Sequence, residues 1–296
     1  MTFRFIHKSV IRLILKYVLL GLFLLSTTAS AGSFSCAISS ASGISLTYDP
    51  SSPTQTSGTG TLAITCTKSG SNSDTVYYEL GINGGINSIG IQSRAANGVS
   101  AIKYNTWRDN GLSQVWNDIS SNRIKGGLTS TSSSTVYLNY YVSIPSMQNV
   151  GAGTYLDTQT INLYQGSTAT AASTDISPKV QTFGVLFTVA PKCTFSSPPG
   201  DVHFNYTSFQ TTASLASTTF AVTCLNNTTY TMALDSSSGV LLGLNYSLSL
   251  SKSGTQTGNG FAQSTTINGS MVSGQSGVCS GVTCTAYETR TLTISY

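Results

Sequence analysis

The spacing of the six cysteines constrains this chain more than any other feature of its sequence. Cys36 and Cys66 are almost as far apart along the chain as Cys193 and Cys224. A repeated spacing indicates a duplicated structural unit, so we predict two related modules. A metal site is the weaker interpretation, because no histidine or further cysteine lies near either pair. The predicted disulfides are Cys36–Cys66, Cys193–Cys224 and Cys279–Cys284.

The amino-terminal residues predict export. Basic residues recur from Arg4 to Lys16, an apolar run too short to span a bilayer follows over 17–25, and Ala29-Ser30-Ala31 fits a small-residue cleavage site. We therefore predict a signal peptide over residues 1–31. Cysteines of an exported chain are expected to form disulfides rather than remain free.

The charge of the mature chain argues against nucleic-acid binding. The full sequence has 14 Lys and Arg against 10 Asp and Glu, but four of the basic residues and none of the acidic ones lie in the predicted signal peptide. The mature chain is therefore neutral overall. It offers no basic surface that could neutralise phosphates.

Apolar and polar residues alternate with a period of two over most of the mature chain. The runs at 62–66, 136–142 and 220–224 are examples, and clusters of Gly, Asn and Ser separate such runs. We predict an all-β fold of two immunoglobulin-like antiparallel β-sandwiches. The first module would cover residues 32–190 and the second residues 191–296.

One strand distinguishes the two modules. The closing strand of the first module, at 154–164, is followed by a predicted loop at 167–177 and then by a further strand at 180–190. The closing strand of the second module, at 286–296, has no such successor in the sequence. The apolar side chains of the extra strand alternate and would lie on one face. They are Phe183, Val185, Phe187 and Val189.

Short motifs recur in the same order in both modules. The first module contains Tyr-Asp-Pro at 48–50 and Tyr-Leu-Asp-Thr at 155–158, and the second contains Tyr-Glu-Thr at 287–289. Other such segments lie at 60–66, 102–109, 115–118, 144–154, 244–248 and 269–275. Together they resemble the spore coat protein U domain family, which includes subunits and two-domain tip adhesins of archaic (Csu-type) chaperone–usher pili.

The resemblance implies how such a module is completed. Pilin domains of this kind are immunoglobulin-like sandwiches without their last strand, and an extended segment of a neighbouring subunit fills the groove. The strand at 180–190 would complete the first module from within. Burying its four apolar side chains would stabilise the module by about 6–12 kcal/mol. The second module would be an incomplete pilin domain that needs a donor strand from another chain.

The resemblance also implies a position in the fibre. Only residues 32–35 precede Cys36 in the predicted mature chain, which is shorter than a donor segment. A subunit that accepts a strand but offers none belongs at the tip. The expected partners are a periplasmic chaperone, an outer-membrane usher and the next pilus subunit. The alternatives are a non-binding adaptor or structural subunit, or a secreted coat or matrix protein.

Apolar residues in the loops of the first module are candidates for surface binding. They lie among Gly, Asn and Ser, where exposed apolar side chains could bind an abiotic surface by burying area alone. Alternatively, the same side chains pack into the ends of the sandwich, an interpretation that is strongest for Trp116. A glycan could instead stack on Trp107 and Tyr104. The candidate loop residues are Ile86, Ile89, Ile91, Leu112, Val115, Met147 and Val150.

The sequence gives little support for catalysis. His203 is the only histidine of the mature chain, and a lone histidine in an alternating run is more often structural than catalytic. No Gly-x-Ser-x-Gly motif occurs, and the Ser249-x-x-Lys252 motif lies in an alternating strand. We predict no enzyme activity, no cofactor and no metal.

Overall fold

The computed structural model of this chain describes residues 33–69, 74–98, 100–130 and 132–296; the predicted signal peptide, residues 1–31, lies outside these residues. The described part is built almost entirely of β-strands, which confirms the all-β prediction. No helix in these ranges has the length and hydrophobicity needed to cross a membrane.

The first module contains ten strands that belong to one continuous sheet. The order of hydrogen-bonded neighbours is β1-β3-β8-β6-β5-β9-β10-β2, and β4 lies beside β9 with β7 as its other neighbour. The strands are β1 (Phe34–Ala41), β2 (Ile44–Thr47), β3 (Thr56–Lys68), β4 (Asp74–Ile82), β5 (Ser93–Asn97), β6 (Ser100–Trp107), β7 (Ile124–Ser130), β8 (Ser134–Ile144), β9 (Gly153–Gly166) and β10 (Lys179–Val189). Since only Ser42 and Gly43 join β1 to β2, the sheet curls back on itself around one apolar core.

Strand β10 lies inside this sheet rather than at its edge. It pairs antiparallel with β9 from Lys179↔Leu163 to Val189↔Gly153, and parallel with β2 from Val185↔Ile44 to Thr188↔Thr47. The alternating apolar side chains face the core and are at most 5% exposed. These side chains are Phe183, Val185, Phe187 and Val189.

The segment predicted as a loop at 167–177 contains a helix instead. Helix α1 (Ala169–Ser173) begins at Thr168, whose side chain accepts a hydrogen bond from the backbone N–H of Ala171. Ala172 is buried. The loop prediction was wrong there because one helical turn is too short to produce a visible apolar period.

The second module contains two smaller sheets that share a second apolar core. One sheet has the order β11-β12-β17-β15-β14 and the other β16-β13-β18. The strands are β11 (Cys193–Ser197), β12 (Ser214–Cys224), β13 (Thr229–Leu234), β14 (Ser238–Leu241), β15 (Leu244–Leu250), β16 (Gln256–Thr257), β17 (Ala262–Met271) and β18 (Leu292–Ser295).

In each module a disulfide joins the first strand to its neighbour in the sheet in the same way. Cys36 pairs with Cys66 between β1 and β3, and Cys193 pairs with Cys224 between β11 and β12. A register shift follows two residues after the first cysteine in both cases. The third disulfide, Cys279–Cys284, closes an exposed loop.

A hydrogen-bonded corner is also repeated. The Tyr48 hydroxyl donates to the carbonyl oxygen of Pro145 at 3.0 Å and accepts from the N–H of Gln148 at 2.8 Å. The Tyr206 hydroxyl makes the same two bonds, to the Val272 carbonyl and from the Gln275 N–H, both at 2.9 Å. This tyrosine–glutamine corner aligns residues 44–48 of the first module with residues 202–206 of the second.

The two modules contact each other where the chain passes between them. Lys192 lies 3.0 Å from the carboxylate of Asp49, and the N–H of Ala152 donates to the carbonyl oxygen of Asn226. Hydrogen bonds from Ser51, and then from Lys192, lower the pKa of Asp49 to about 2. The carboxylate is therefore ionised at neutral and mildly acidic pH, so the ion pair persists there.

We expect the apolar face of β10 to stabilise the first module strongly. Phe187→Ala removes a ring that is 0% exposed, which should lower the free energy of unfolding by about 3–5 kcal/mol. Val180→Ala is the matched control, because Val180 lies on the same strand but is 65% exposed. Urea unfolding measures both variants, and equal stabilities would contradict a core role for β10.

Candidate functional sites

The three isoleucines of the loop after β4 point into solvent. Ile86 is 73% exposed, Ile89 66% and Ile91 83%. Ile89 and Gln92 exchange backbone hydrogen bonds across a tight turn. Gly90 lies in this turn at φ +60°, a conformation that suits glycine. The loop therefore displays large apolar side chains on a short, hydrogen-bonded turn.

A buried carboxylate holds the base of this isoleucine loop. Asp157 is 3% exposed and accepts hydrogen bonds from the Asn87 N–H at 3.2 Å and from the Tyr104 hydroxyl at 2.7 Å. Gly85, at φ +87°, lies so close that a Cβ there would overlap the carboxylate. Burial, and then the bond to Asp157, raise the pKa of Tyr104 well above its ordinary value. The phenol therefore remains a neutral donor.

The isoleucine loop and the loop after β6 meet at a cleft of about 330 Å³. Ile91, Val115 and Ile119 line it together with Trp116, which is 1% exposed and donates its indole N–H to the carbonyl oxygen of Leu80. Val115 is 41% and Ile119 53% exposed. The burial of Trp116 agrees with the core interpretation. Ile119 was not among the predicted residues, since nothing in its neighbouring sequence distinguishes it.

The loop after β6 is organised by one aspartate. Asp109 accepts hydrogen bonds from the N–H groups of Ser113 and Gln114, and the bond from Gln114 is the main reason why the pKa of Asp109 is lowered. Leu112 has a positive φ of 53° and a half-buried side chain. It therefore contributes less apolar surface than the isoleucines.

The structure separates two candidates from the cleft. Met147 is 70% exposed, but it does not line the cleft, and its neighbour Gln148 bonds to the backbone of Lys103. Val150 is only 6% exposed and belongs to the core, so its prediction as a surface-binding residue was wrong. Its loop turns back at Gln148, whose carbonyl accepts from the Val150 N–H, and this directs the side chain inward.

The structure places the two residues predicted to stack on a glycan in different surroundings. Tyr104 is 0% exposed, so it offers no surface on which a glycan could stack. Trp107 is half-buried on the outer face of the sheet, and its indole N–H donates to the Ser143 hydroxyl. His203 is exposed and lies 3.9 Å from an equally exposed Asp201. Both side chains of that pair are therefore largely exposed to solvent.

The second module repeats the surroundings of β10 without a strand in the corresponding place. When the modules are aligned on the tyrosine–glutamine corner, Ile44 and Leu46 of β2 correspond to Val202 and Phe204. In the first module this segment pairs with β10. Among the described residues, no strand pairs with residues 202–206.

Strand β9, on the other side of β10 in the first module, also has a counterpart in the second module. The Tyr246 hydroxyl donates to Glu288 at 2.7 Å and accepts from Arg290 at 2.8 Å, as Tyr104 does with Asp157 and Gln159. Counting on from these residues, Leu292 and Ile294 of β18 correspond to Ile161 and Leu163 of β9. Strand β18 pairs with β13, and within the described ranges its other edge has no neighbour.

By this alignment, the place that β10 occupies in the first module corresponds to the space between residues 202–206 and Leu292–Ser295 in the second. We call this space the acceptor groove, after the role proposed for it below. Its apolar side chains are half-buried, whereas their first-module counterparts Ile44, Ile161 and Leu163 are buried. Residues 284–291, which precede β18, form no strand and are exposed apart from Arg290. The half-buried residues along the groove are Val202, Phe204, Tyr206, Leu292 and Ile294.

The sequence matches the family model of the Spore Coat Protein U domain over residues 21–162 and 179–257. The chain belongs to the Spore Coat Protein U domain family. The first matched segment ends within β9, and the second begins at the start of β10 and extends into the second module. No curated protein matches this chain.

Solved structures with distant similarity include three of bacterial adhesive subunits. The CsuC–CsuE chaperone–tip adhesion subunit pre-assembly complex of Acinetobacter baumannii matches with 14% identity and a TM-score of 0.38, over 88% of this chain and 100% of that one. The CupB6 tip adhesin of Pseudomonas aeruginosa matches with 10% identity and a TM-score of 0.35, over 82% of this chain and 87% of that one. CfaE, the adhesive subunit of CFA/I fimbria of enterotoxigenic Escherichia coli, matches with 9% identity and a TM-score of 0.30, over 80% of this chain and 89% of that one. At these values the similarity carries no conclusion about binding or assembly.

We expect Asn87 to fix the isoleucine loop on the Spore Coat Protein U scaffold. Its side-chain amide donates to the Leu156 carbonyl at 2.9 Å and to Asp157 at 3.3 Å. Asn87→Ala should increase hydrogen exchange over residues 84–92 by roughly fivefold or more, because about 1 kcal/mol of local stability is lost. Ser88→Ala serves as the control. Equal exchange in the two variants would show that the loop is held by other contacts.

Proposed function

We propose that this chain is the adhesive tip subunit of a chaperone–usher pilus. In this proposal the first module binds surfaces and the second accepts a strand donated by the next subunit. The observation that carries the proposal is the contrast between β10, which is paired on both sides, and the acceptor groove, whose two edges have no partner among the described residues.

The first module provides the pattern for the missing strand. Strand β10 inserts an alternating apolar face between β2 and β9. A strand with the same alternation would meet Val202 and Phe204 on one side of the acceptor groove and Leu292 and Ile294 on the other. Burying three or four apolar side chains there would contribute about 5–10 kcal/mol. That is comparable to the whole stability of a typical domain.

An open strand edge beside an apolar core also explains the proposed partners. Such an edge pairs readily with other chains and leads to aggregation unless it is covered. A periplasmic chaperone that inserts its own strand would cover the groove after export, and an outer-membrane usher would exchange that strand for one of the next subunit. The chain would then be located at the tip of a cell-surface fibre.

Surface binding is proposed for the exposed apolar loops of the first module. The exposed side chains of Ile86, Ile89 and Ile91 are close in sequence on one short loop, and Val115 and Ile119 lie across the cleft. Contact with an apolar surface would remove this area from water without any specific receptor. The chain would thus promote attachment and biofilm formation, with no catalytic role.

Complementation of the second module tests the assembly part of the proposal. We would extend the mature chain beyond Tyr296 with a flexible linker and a copy of β10, and follow unfolding by calorimetry. Filling the acceptor groove should raise the melting temperature of the second module by roughly 10 °C or more, because several kcal/mol are gained.

The control carries the same extension with its four core-facing residues changed to Ser. An unchanged melting temperature with the apolar extension would contradict an acceptor groove. It would favour the alternative of a secreted coat or matrix protein whose modules are complete.

Replacing the three isoleucines tests the adhesive part. Ile86→Ser, Ile89→Ser and Ile91→Ser together should reduce attachment of fibre-bearing cells to polystyrene at least tenfold, while the melting temperature stays unchanged, because all three side chains are exposed. Ile176→Ser is the matched control, since Ile176 is 94% exposed but lies beyond β9 in another loop. Full attachment by the triple variant would favour the non-binding adaptor alternative.

A further inference from the structure

The outer face of the first-module sheet carries a row of aromatic side chains. Trp107 on β6 lies directly opposite Tyr141 on β8, which lies opposite Thr59 on β3. Directly opposed residues of antiparallel strands share a face, so these three side chains form a row across the sheet. Tyr137 lies four residues before Tyr141 on the same face and is 79% exposed. We call Trp107, Tyr141, Thr59 and Tyr137, together with the residues between them, the aromatic face.

The aromatic face is rigid. Trp107 and Tyr141 face each other across the paired strands β6 and β8, Tyr137 is paired with Ala63 of β3, and the indole N–H of Trp107 donates to the Ser143 hydroxyl at 2.8 Å. This bond fixes the indole relative to β8. The spacing of Tyr137 and Tyr141 along their strand is about 13 Å, so the rings can contact separate units of an extended ligand.

The chemistry between the rings is polar but uncharged. Asn139, Thr61 and Ala63 lie between and beside the tyrosines, and Asn105 lies next to Trp107 on the same face of β6. The amide of Asn139 is exposed, and within the described residues its side chain makes no hydrogen bond. Lys103 lies on the same face of β6, four residues before Trp107, and Asp109 follows two residues after Trp107, beyond the end of the strand.

We propose that the aromatic face binds a neutral polysaccharide. A pyranose ring presents an apolar C–H face, which stacks on aromatic rings, and a rim of hydroxyls, which bond to amides and hydroxyls. Tyr and Trp supply rigid contact area with little loss of conformational entropy. No Lys or Arg lies between the rings on β3 and β8, which disfavours anionic polymers, because their charges would be desolvated there without a partner.

This surface extends the function beyond attachment through the isoleucine loop. It does not depend on a position in a pilus, since the aromatic face lies wholly within the first module. A chain with both surfaces would bind apolar solids with one and hydrated glycan layers with the other.

Native gel electrophoresis of the mature chain in gels that contain soluble polymers tests the proposal. The neutral probes are galactomannan, hydroxyethyl cellulose, laminarin and dextran, and alginate is the anionic probe. We expect at least one neutral polymer to retard the protein. Retardation by none of the neutral polymers, or by alginate alone, would overturn the proposal.

Variants connect the retardation to the aromatic face. Tyr137→Ala and Tyr141→Ala should each weaken binding roughly fivefold, whereas Tyr137→Phe should keep it, because stacking needs the ring and not the hydroxyl. Tyr77→Ala is the matched control, since Tyr77 is a partly exposed tyrosine on β4, on the opposite side of the core. Unchanged retardation in both alanine variants would overturn the proposal, and Tyr137 is exposed enough that its variant should fold.

Two further measurements separate polysaccharide binding from surface attachment and from self-association. The triple isoleucine variant should retain polymer binding, so loss of surface attachment and loss of polysaccharide binding are distinguished. Light scattering tests whether the face instead contacts a second copy of the chain. Self-association that Tyr137→Ala abolishes, without retardation by any polymer, would assign the face to a protein interface and overturn the proposal.

Discussion

The pairing of a strand edge beside an apolar core is the constraint on which the rest of this structure depends. Backbone N–H and C=O groups at such an edge need partners, and the core next to it needs a cover. In the first module β10 supplies both at once, through bonds to β9 and β2 and through four buried side chains. The chain itself therefore covers the core beside β10, and in the proposed function this leaves the loops and the outer face of the first module free for binding.

Because corresponding contacts recur in both modules, the modules can be compared segment by segment. Both contain the disulfide between their first strands, the tyrosine–glutamine corner and a tyrosine bonded to an acidic residue near the closing strand. These shared contacts fix the segments on either side of one strand position. The modules differ at that position, because β10 fills it in the first module and no described strand fills it in the second. In the proposed function, a single donated strand would therefore change the second module from open to closed.

Much of this fold could be predicted from the sequence because strands have a strict period of two. The alternation at 180–190 gives the face that packs on the core, and the cysteine spacing gives the strands that the disulfides join. The loops have no such period. Val150 is buried because its loop turns back at Gln148, and Ile119 reaches the cleft because a distant loop bends towards it. Both outcomes depend on tertiary contacts that no local pattern records.

The junction between the modules determines how force would pass through the proposed tip subunit. Only three residues separate the end of β10 at Val189 from the start of β11 at Cys193, so the two strands form an almost continuous path. Lys192, within this connection, is held by Asp49 and Ser51 of the first module. Leu225, next to Cys224, packs against the first core. Load applied at the binding loops would therefore reach the acceptor groove through paired strands and a disulfide rather than through a flexible linker.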